Sequence, residues 1–138
     1  MKLRLSAVLD LRRRIEDDLK REVGQLEQQR VQTVLLHAAI ERDMAETIAK
    51  PTHPELREQL ATFVSALRAA AADAVALLAV HDERIAEARN RLAAAHRDVR
   101  AIEALQERDR IAQQRIALRR EGRENDEFAA RKRLEAAL

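Results

Sequence analysis

The sequence feature that most constrains the fold is an uninterrupted apolar pattern that follows Pro54. Apolar or small residues recur there at alternating steps of three and four, with His81 as the one polar member. The positions are Leu56, Leu60, Phe63, Leu67, Ala70, Ala74, Leu77, His81, Ile85, Ala88, Leu92, Ala95, Val99 and Ile102. This spacing is the heptad repeat of a coiled coil. Because no proline or glycine interrupts the chain between Pro54 and Gly122, the pattern predicts a single helix of roughly 100 Å at ~1.5 Å per residue.

The composition agrees with a long helix and argues against a compact globular core. Charged residues make up 36% of the 138 residues, and aromatic residues make up only 1%. Large buried areas in globular cores come mostly from aromatic side chains, so their scarcity leaves a narrow strip of Ala and Leu as the core. A chain rich in Ala, Glu, Leu and Arg is typical of coiled coils.

The sequence lacks the residue patterns of an active site. It has no cysteine, and no pair among its histidines (His37, His53, His81 and His96) has a metal-ligand spacing. It also lacks a glycine-rich phosphate loop and a nucleophile elbow. We therefore expect no enzyme activity, no metal and no cofactor.

The apolar stretches are too short to indicate export or membrane insertion. The N-terminal apolar stretch is interrupted by Asp10 and Arg12, unlike a signal peptide. The most apolar stretch, Ala66 to Val80, contains Arg68 and Asp73. We expect a soluble cytoplasmic protein.

A first helix is predicted from about residue 5 to residue 49. Its expected apolar stripe consists of Val8, Leu11, Ile15, Leu19, Val23, Leu26, Val34, Ile40, Met44 and Ile48. Gly24 lies inside this helix and weakens it by ~1 kcal/mol relative to Ala.

A turn at residues 50–54 separates the two helices. Pro51 disfavours helical geometry at the residue before it. Thr52 and Glu55 have the spacing of a capping box, and Pro54 fits the first turn of the next helix. The second helix is expected from about residue 55 to 135. The sequence thus predicts one all-α domain over residues 1–138, in which two long helices form an antiparallel coiled-coil hairpin.

The second helix is predicted to extend beyond the first. If the chain folds back about residue 52, the first helix covers the second only to about Arg100. The remaining residues, 101–138, contain isolated apolar side chains among many arginines, and Gly122 is a candidate break or kink. We expect such an overhang to be a docking surface.

The C-terminal segment resembles the FliJ family of the flagellar type III export apparatus. Leu105-Gln106-Glu107-Arg108 is followed by a charged run, and then by Glu124-Asn125-Asp126-Glu127-Phe128-Ala129-Ala130-Arg131-Lys132. FliJ-like proteins end in a similar Asp-Glu-Phe-Ala-x-Arg pattern. The resemblance implies a two-helix antiparallel coiled coil, similar to the stalk of rotary ATPases, located in the cytoplasm and peripheral to the membrane. It also implies three partners: the hexameric export ATPase (FliI-like), the export gate protein (FlhA-like) and the substrate-specific export chaperones.

The resemblance also suggests site residues. Contact with the ATPase is expected from Leu105, Arg108, Ile111, Arg115 and Arg119, because arginine pairs well with carboxylates in a ring channel. The family's gate patch corresponds to Phe63, Leu67, Ala70 and Ala74, although the family has His where this chain has Ala74. A fold about residue 52 would place Val34 and His37 opposite this patch. The C-terminal motif comprises Asp126, Glu127, Phe128, Ala129 and Arg131.

Three other interpretations of the sequence are open at this point. One is the equivalent YscO-like stalk of a virulence secretion system, and another is a coiled-coil scaffold that associates with itself. The third is a nucleic-acid-binding helix, since Asn90-Arg91-Leu92-Ala93-Ala94 is similar to the Asn-x-x-Ala-Ala core of basic leucine zippers. Glu83, Glu87 and Asp98 surround that segment, so we expect no nucleic-acid partner.

Overall fold

Two long helices make up nearly all of the structure. The computed structural model describes the backbone of residues 2–138 and the side chains from residue 4 onward. Helix α1 is Lys2–Ala49, a short 3-10 turn is Pro54–Leu56, and helix α2 is Arg57–Ala137. No strand occurs within the described residues, so the predicted all-α class is confirmed.

The chain divides into two compact units. The hairpin unit is Ile15–Ala95, and it contains the turn. The end unit combines Met1–Arg14 with His96–Leu138. The expectation of one domain over residues 1–138 stays a prediction.

In the hairpin unit, the contacts between the helices follow the order of an antiparallel pair. Glu22 pairs with Arg91 at 2.9 Å and Glu27 with Arg89 at 2.6 Å. Further along α1, Arg30 pairs with Asp82 at 2.6 Å, and Thr33 contacts His81 at 3.1 Å. Partner numbers on α2 therefore fall as those on α1 rise.

In the end unit, the start of α1 contacts α2 in a similar way. Arg12 lies 3.5 Å from Asp98, and Arg13 lies 3.6 Å from Glu103. Leu9 and Val99 are buried there, with 5% and 4% of their surface exposed. Buried apolar side chains, with ion pairs beside them, thus hold this unit together.

The buried positions of α2 follow the predicted heptads closely. The buried residues of the pattern are Ala74, His81, Ile85, Ala88, Ala95 and Val99. Phe63 and Leu77 differ from the prediction, since they are 52% and 43% exposed, and the adjacent Val64 and Leu78 are more buried than they are. A two-helix pair buries only a narrow strip, so one of two adjacent apolar residues stays outside.

The predicted stripe of α1 is only partly correct. Val8, Leu11, Ile15, Val34 and Ile48 are exposed. The inward face instead buries Glu16 and Thr33 and half-buries Arg30 and His37. The reason is that a straight helix presents one face along its whole length, so Leu19, Val23, Leu26, Ile40 and Met44 decide which face turns inward.

The turn differs from the predicted capping box. The Thr52 hydroxyl donates to the Lys50 carbonyl at 3.3 Å. The N-cap of the 3-10 turn is His53, whose side chain makes no capping hydrogen bond. The Leu56 N–H donates to the His53 carbonyl at 2.9 Å. Pro54 does occupy the first turn, as predicted.

The register of the hairpin unit differs from a fold about residue 52. Such a fold would place Thr33 opposite about residue 71, whereas Thr33 contacts His81. The chain between the helices and the 3-10 turn moves the point of reversal toward α2. Val34 and His37 consequently lie closer to Ala74 than to Phe63.

In the end unit, α1 covers α2 beyond the predicted limit of Arg100. Half-buried residues continue through Ile102, Glu103, Gln106 and Asp109. Gly122 neither breaks nor ends the helix, which continues to Ala137. An added Cβ at Gly122 would meet no atom within 4 Å.

The apolar stretch of α2 is longer than the sequence analysis allowed. An 18-residue window, which corresponds to residues 63–80, reaches a mean hydropathy of 1.8, and only 11% of it is buried. By length and composition alone, this window is sufficient to cross a membrane. The window also contains Arg68, Asp73 and the buried Ala71 and Ala74, which belong to the helix pair of the hairpin unit. Length and composition are therefore weak evidence for a span.

The Thr33–His81 contact gives a test of the hairpin unit. The Thr33 hydroxyl donates to the Gln29 carbonyl at 3.1 Å, so its oxygen accepts from His81 Nε2, and His81 Nδ1 has no hydrogen-bond partner. We expect Thr33→Val to destabilise the unit by about 1–3 kcal/mol, because it leaves the buried imidazole without its partner. Adding His81→Leu should recover most of that loss, because both polar groups are then gone. Urea unfolding followed by circular dichroism measures both changes.

The matched control is Thr47→Val. The Thr47 hydroxyl also donates to a backbone carbonyl, that of Asp43, but it does so at an exposed position. The effect of this substitution should be small. Equal effects of the substitutions at Thr33 and Thr47 would contradict the structural role of the buried pair.

Candidate functional site

The last part of α2 is an exposed helix, which we call the free end and define as residues 110–138. Every residue of the free end is exposed, and the helix continues to Ala137. Ala, Arg, Glu, Gln and Leu dominate its sequence, and these residues favour a helix without help from packing. The free end therefore offers its whole circumference to a partner.

An arginine face begins just before the free end. Residues 108–123 contain six arginines and only two acidic residues. Arg108, Arg115 and Arg119 are separated by seven and four residues, so they share one side of the helix. The predicted ATPase-contact arginines thus form a single basic surface.

Ion pairing leaves these three arginines available. Arg110 donates two hydrogen bonds to Glu107, at 2.7 and 3.0 Å. These hydrogen bonds lower the pKa of Glu107 and raise the pKa of Arg110. Among the residues that the structure describes, Arg108, Arg115 and Arg119 have no ion-pair partner. Their charges can therefore meet a partner's carboxylates.

A groove lies at the base of this face, between the start of α1 and α2. Its volume is about 580 Å³, and it is lined by Arg4, Leu5, Leu105, Arg108, Asp109 and Ala112. Leu105 and Arg108 were predicted to lie on a helix without cover, but α1 reaches them. Arg4 and Leu5 are not among the predicted site residues, although the four-residue step from Leu5 to Leu9 is the signal that extends the apolar face of α1.

The other predicted terminal residues are spread along the helix. Ile111 is 37% exposed, and Phe128 is 61% exposed. Asp126, Glu127, Ala129 and Arg131 are exposed as well. The Lys132 ammonium lies 5.1 Å from the centre of the Phe128 ring, a cation–π contact. The motif therefore presents an aromatic residue among charges of both signs.

The residues of the predicted gate patch differ widely in exposure. Phe63 is 52% exposed, Leu67 and Ala70 are half-buried, and Ala74 is 5% exposed. Val34 is 39% exposed, and His37 Nε2 lies 3.5 Å from Glu41. Phe63 is the member that offers the largest surface, and the register sets Val34 and His37 apart from it.

These features define a class of protein: an all-helical protein that carries an exposed, arginine-rich helical end. Within the described residues there is no group of three or more His, Cys, Asp or Glu arranged to hold a metal. The family model described as "Flagellar FliJ protein" matches residues 1–137. The chain therefore belongs to the FliJ family, as the C-terminal motif predicted. No curated protein and no solved structure matches the sequence.

Membership of this family gives the general role. The chain is a component of the flagellar type III export apparatus and acts in the cytoplasm. The family consists of structural export proteins and is not known for catalysis. Which partners this chain binds is a separate question.

Gly122 allows a test of the free end as a continuous helix. We expect Gly122→Ala to stabilise it locally by about 1 kcal/mol, because glycine is a poor helix former and the added methyl meets no neighbour. Amide hydrogen exchange of residues 118–126 should become slower. Ala117→Gly is the matched control and should make exchange faster. Unchanged exchange in both variants would contradict a helical free end.

Proposed function

We propose that this chain is the stalk-like component that joins the flagellar export ATPase to the export gate. In this proposal, the arginine face and the free end contact the ATPase hexamer, and the hairpin unit contacts the gate protein. The same chain hands over substrate-specific export chaperones. At the inner face of the cell membrane, its position is peripheral and depends on these partners.

The observation that carries the proposal is the exposure of the free end together with its arginine face. An isolated helix is only marginally stable in water. A partner that packs against the free end would therefore stabilise it. A ring of ATPase subunits with carboxylates at its centre would pair with Arg108, Arg115 and Arg119, since each guanidinium binds a carboxylate through two parallel hydrogen bonds. Leu105 and Ile111 lie on the same segment and would add apolar contact.

A gate contact is supported by the exposure of Phe63. A half-exposed aromatic ring beside the half-buried Leu67 and Ala70 is a typical anchor for a protein partner. Ala74 is buried, so it belongs to the helix pair and offers little surface to a partner.

Charge reversal tests the ATPase contact. The triple variant Arg108→Glu, Arg115→Glu, Arg119→Glu should lower the affinity for the purified export ATPase at least tenfold, because three favourable charge contacts become repulsive. Binding is measured by titration at modest salt, and the wild-type affinity should fall as salt rises.

The matched control is Arg57→Glu, Arg68→Glu, Arg84→Glu, which changes the net charge equally at exposed positions in the hairpin unit. It should bind the ATPase almost as the wild type does. An unchanged affinity of the first variant, or an equal loss in both, would reject the arginine face as the contact.

Phe63→Ala tests the gate contact. Removing an exposed aromatic anchor should weaken binding to the cytoplasmic part of the gate protein about tenfold, or by ~1.4 kcal/mol. Stability should change little, because the ring is half exposed. Phe128→Ala serves as the control in the end unit, and a larger loss from that variant would place the gate contact elsewhere.

A further inference from the structure

The middle of α1 turns polar side chains inward and apolar ones outward. Between residues 30 and 37, the inward positions are Arg30, Thr33 and His37, which are buried or half-buried. The outward positions carry large apolar side chains, with Val31 56% exposed, Val34 39%, Leu35 64% and Leu36 55%. A helix that is apolar on the side away from its partner usually has a second neighbour.

The outward residues form a second heptad stripe on α1. Its members follow steps of four and three and are all exposed: Gly24, Gln28, Val31, Leu35, Ala38 and Arg42. Alternating steps of this kind produce the seam of a coiled coil. The stripe lies entirely within the hairpin unit, opposite the face that packs against α2.

We propose that this outer stripe of α1 associates with the same stripe on a second copy of the chain, in an antiparallel arrangement. The sizes and charges along the stripe support this occupant. When Val31 of one copy lies against Leu35 of the other, Gln28 faces Ala38 and Gly24 faces Arg42, because the steps on the two sides are equal. Val31 and Leu35 then form the apolar centre, Gln28 meets the small Ala38, and Arg42 meets Gly24, beside which the space is open.

Charge also favours the antiparallel order. Lys20 stands eleven residues before Val31, and Glu46 stands eleven residues after Leu35. The arrangement therefore brings Lys20 and the adjacent Arg21 of each copy to the level of Glu46 of the other. Within their own helix these two cations pair with Glu16 and Asp18, so Glu46 would join an existing charge cluster. A parallel arrangement would instead align identical charges. The two-fold symmetry makes both halves of the interface the same.

We expect a reversible dimer, because one helix face is smaller than the interfaces of permanent complexes. This association goes beyond the proposed export function and does not depend on it. In the dimer, the arginine face of the end unit takes no part.

Sedimentation across a wide range of protein concentrations tests the proposal with the full chain. The wild-type mass should rise from the monomer value of 15.7 kDa toward twice that value. Leu35→Glu should remain monomeric, because it places a carboxylate in the centre of the interface. Leu118→Glu is the matched control, with Leu118 66% exposed in the end unit, and it should associate as the wild type does. Circular dichroism checks that each variant is folded.

Cysteine crosslinking tests the orientation, since the natural chain has no cysteine. A mixture of Val31→Cys and Leu35→Cys chains should form the mixed disulfide faster than either chain forms a disulfide with itself. Preferred self-crosslinking would overturn the antiparallel order. The dimer would be overturned if the wild-type chain stayed monomeric at all concentrations, or if Leu35→Glu associated as strongly as the wild type. The stripe would then be a surface for a different protein.

Discussion

The whole structure depends on the mutual burial of one narrow strip between two helices. A pair of helices has no third layer, so each residue is either on the strip or in water. Small residues dominate the strip on α2, where Ala88 is fully buried and Ala71, Ala74 and Ala95 are nearly so. Each of these small side chains therefore contributes only a modest hydrophobic stabilisation. Ion pairs such as Glu27–Arg89 and Arg30–Asp82 lie beside the strip. Exposed ion pairs contribute little to the free energy of folding. The order in which their residues pair along the two helices nevertheless matches one register of the helix pair.

This constraint explains why the proposed contact surfaces are those that the buried strip leaves exposed. Most of the free end lies beyond the reach of α1. Apart from Arg110, which pairs with Glu107, its arginines have no ion-pair partner among the described residues. Phe63 lies on the hairpin unit, but the adjacent Val64 takes the more buried position. Val31 and Leu35 point outward because the rest of α1 determines which face turns inward. In each case, exposure follows from the geometry of a two-helix pair.

Much of the fold was predictable from the sequence, because heptad spacing and proline are strong local signals. The pattern of α2 identified Ala74, His81, Ile85, Ala88, Ala95 and Val99 as buried. The family followed from the Asp126–Arg131 motif and not from the heptads. The register was not predictable, since Thr33 could face residue 71 or His81 with similar apolar matching. The inward face of α1 was also misjudged at Val34 and Ile48, because both faces of that helix carry apolar residues. The contact roles of the predicted site residues remain predictions.

The central claim is that the free end joins this chain to the export ATPase. The most direct measurement is the rate of ATP hydrolysis by the purified flagellar export ATPase, with the full chain and with a chain that ends at Ala112. The shorter chain keeps the groove and the described contacts between α1 and α2, and circular dichroism would check its fold. The account predicts stimulation by the full chain and little or none by the shorter one. Equal stimulation by both chains would contradict it.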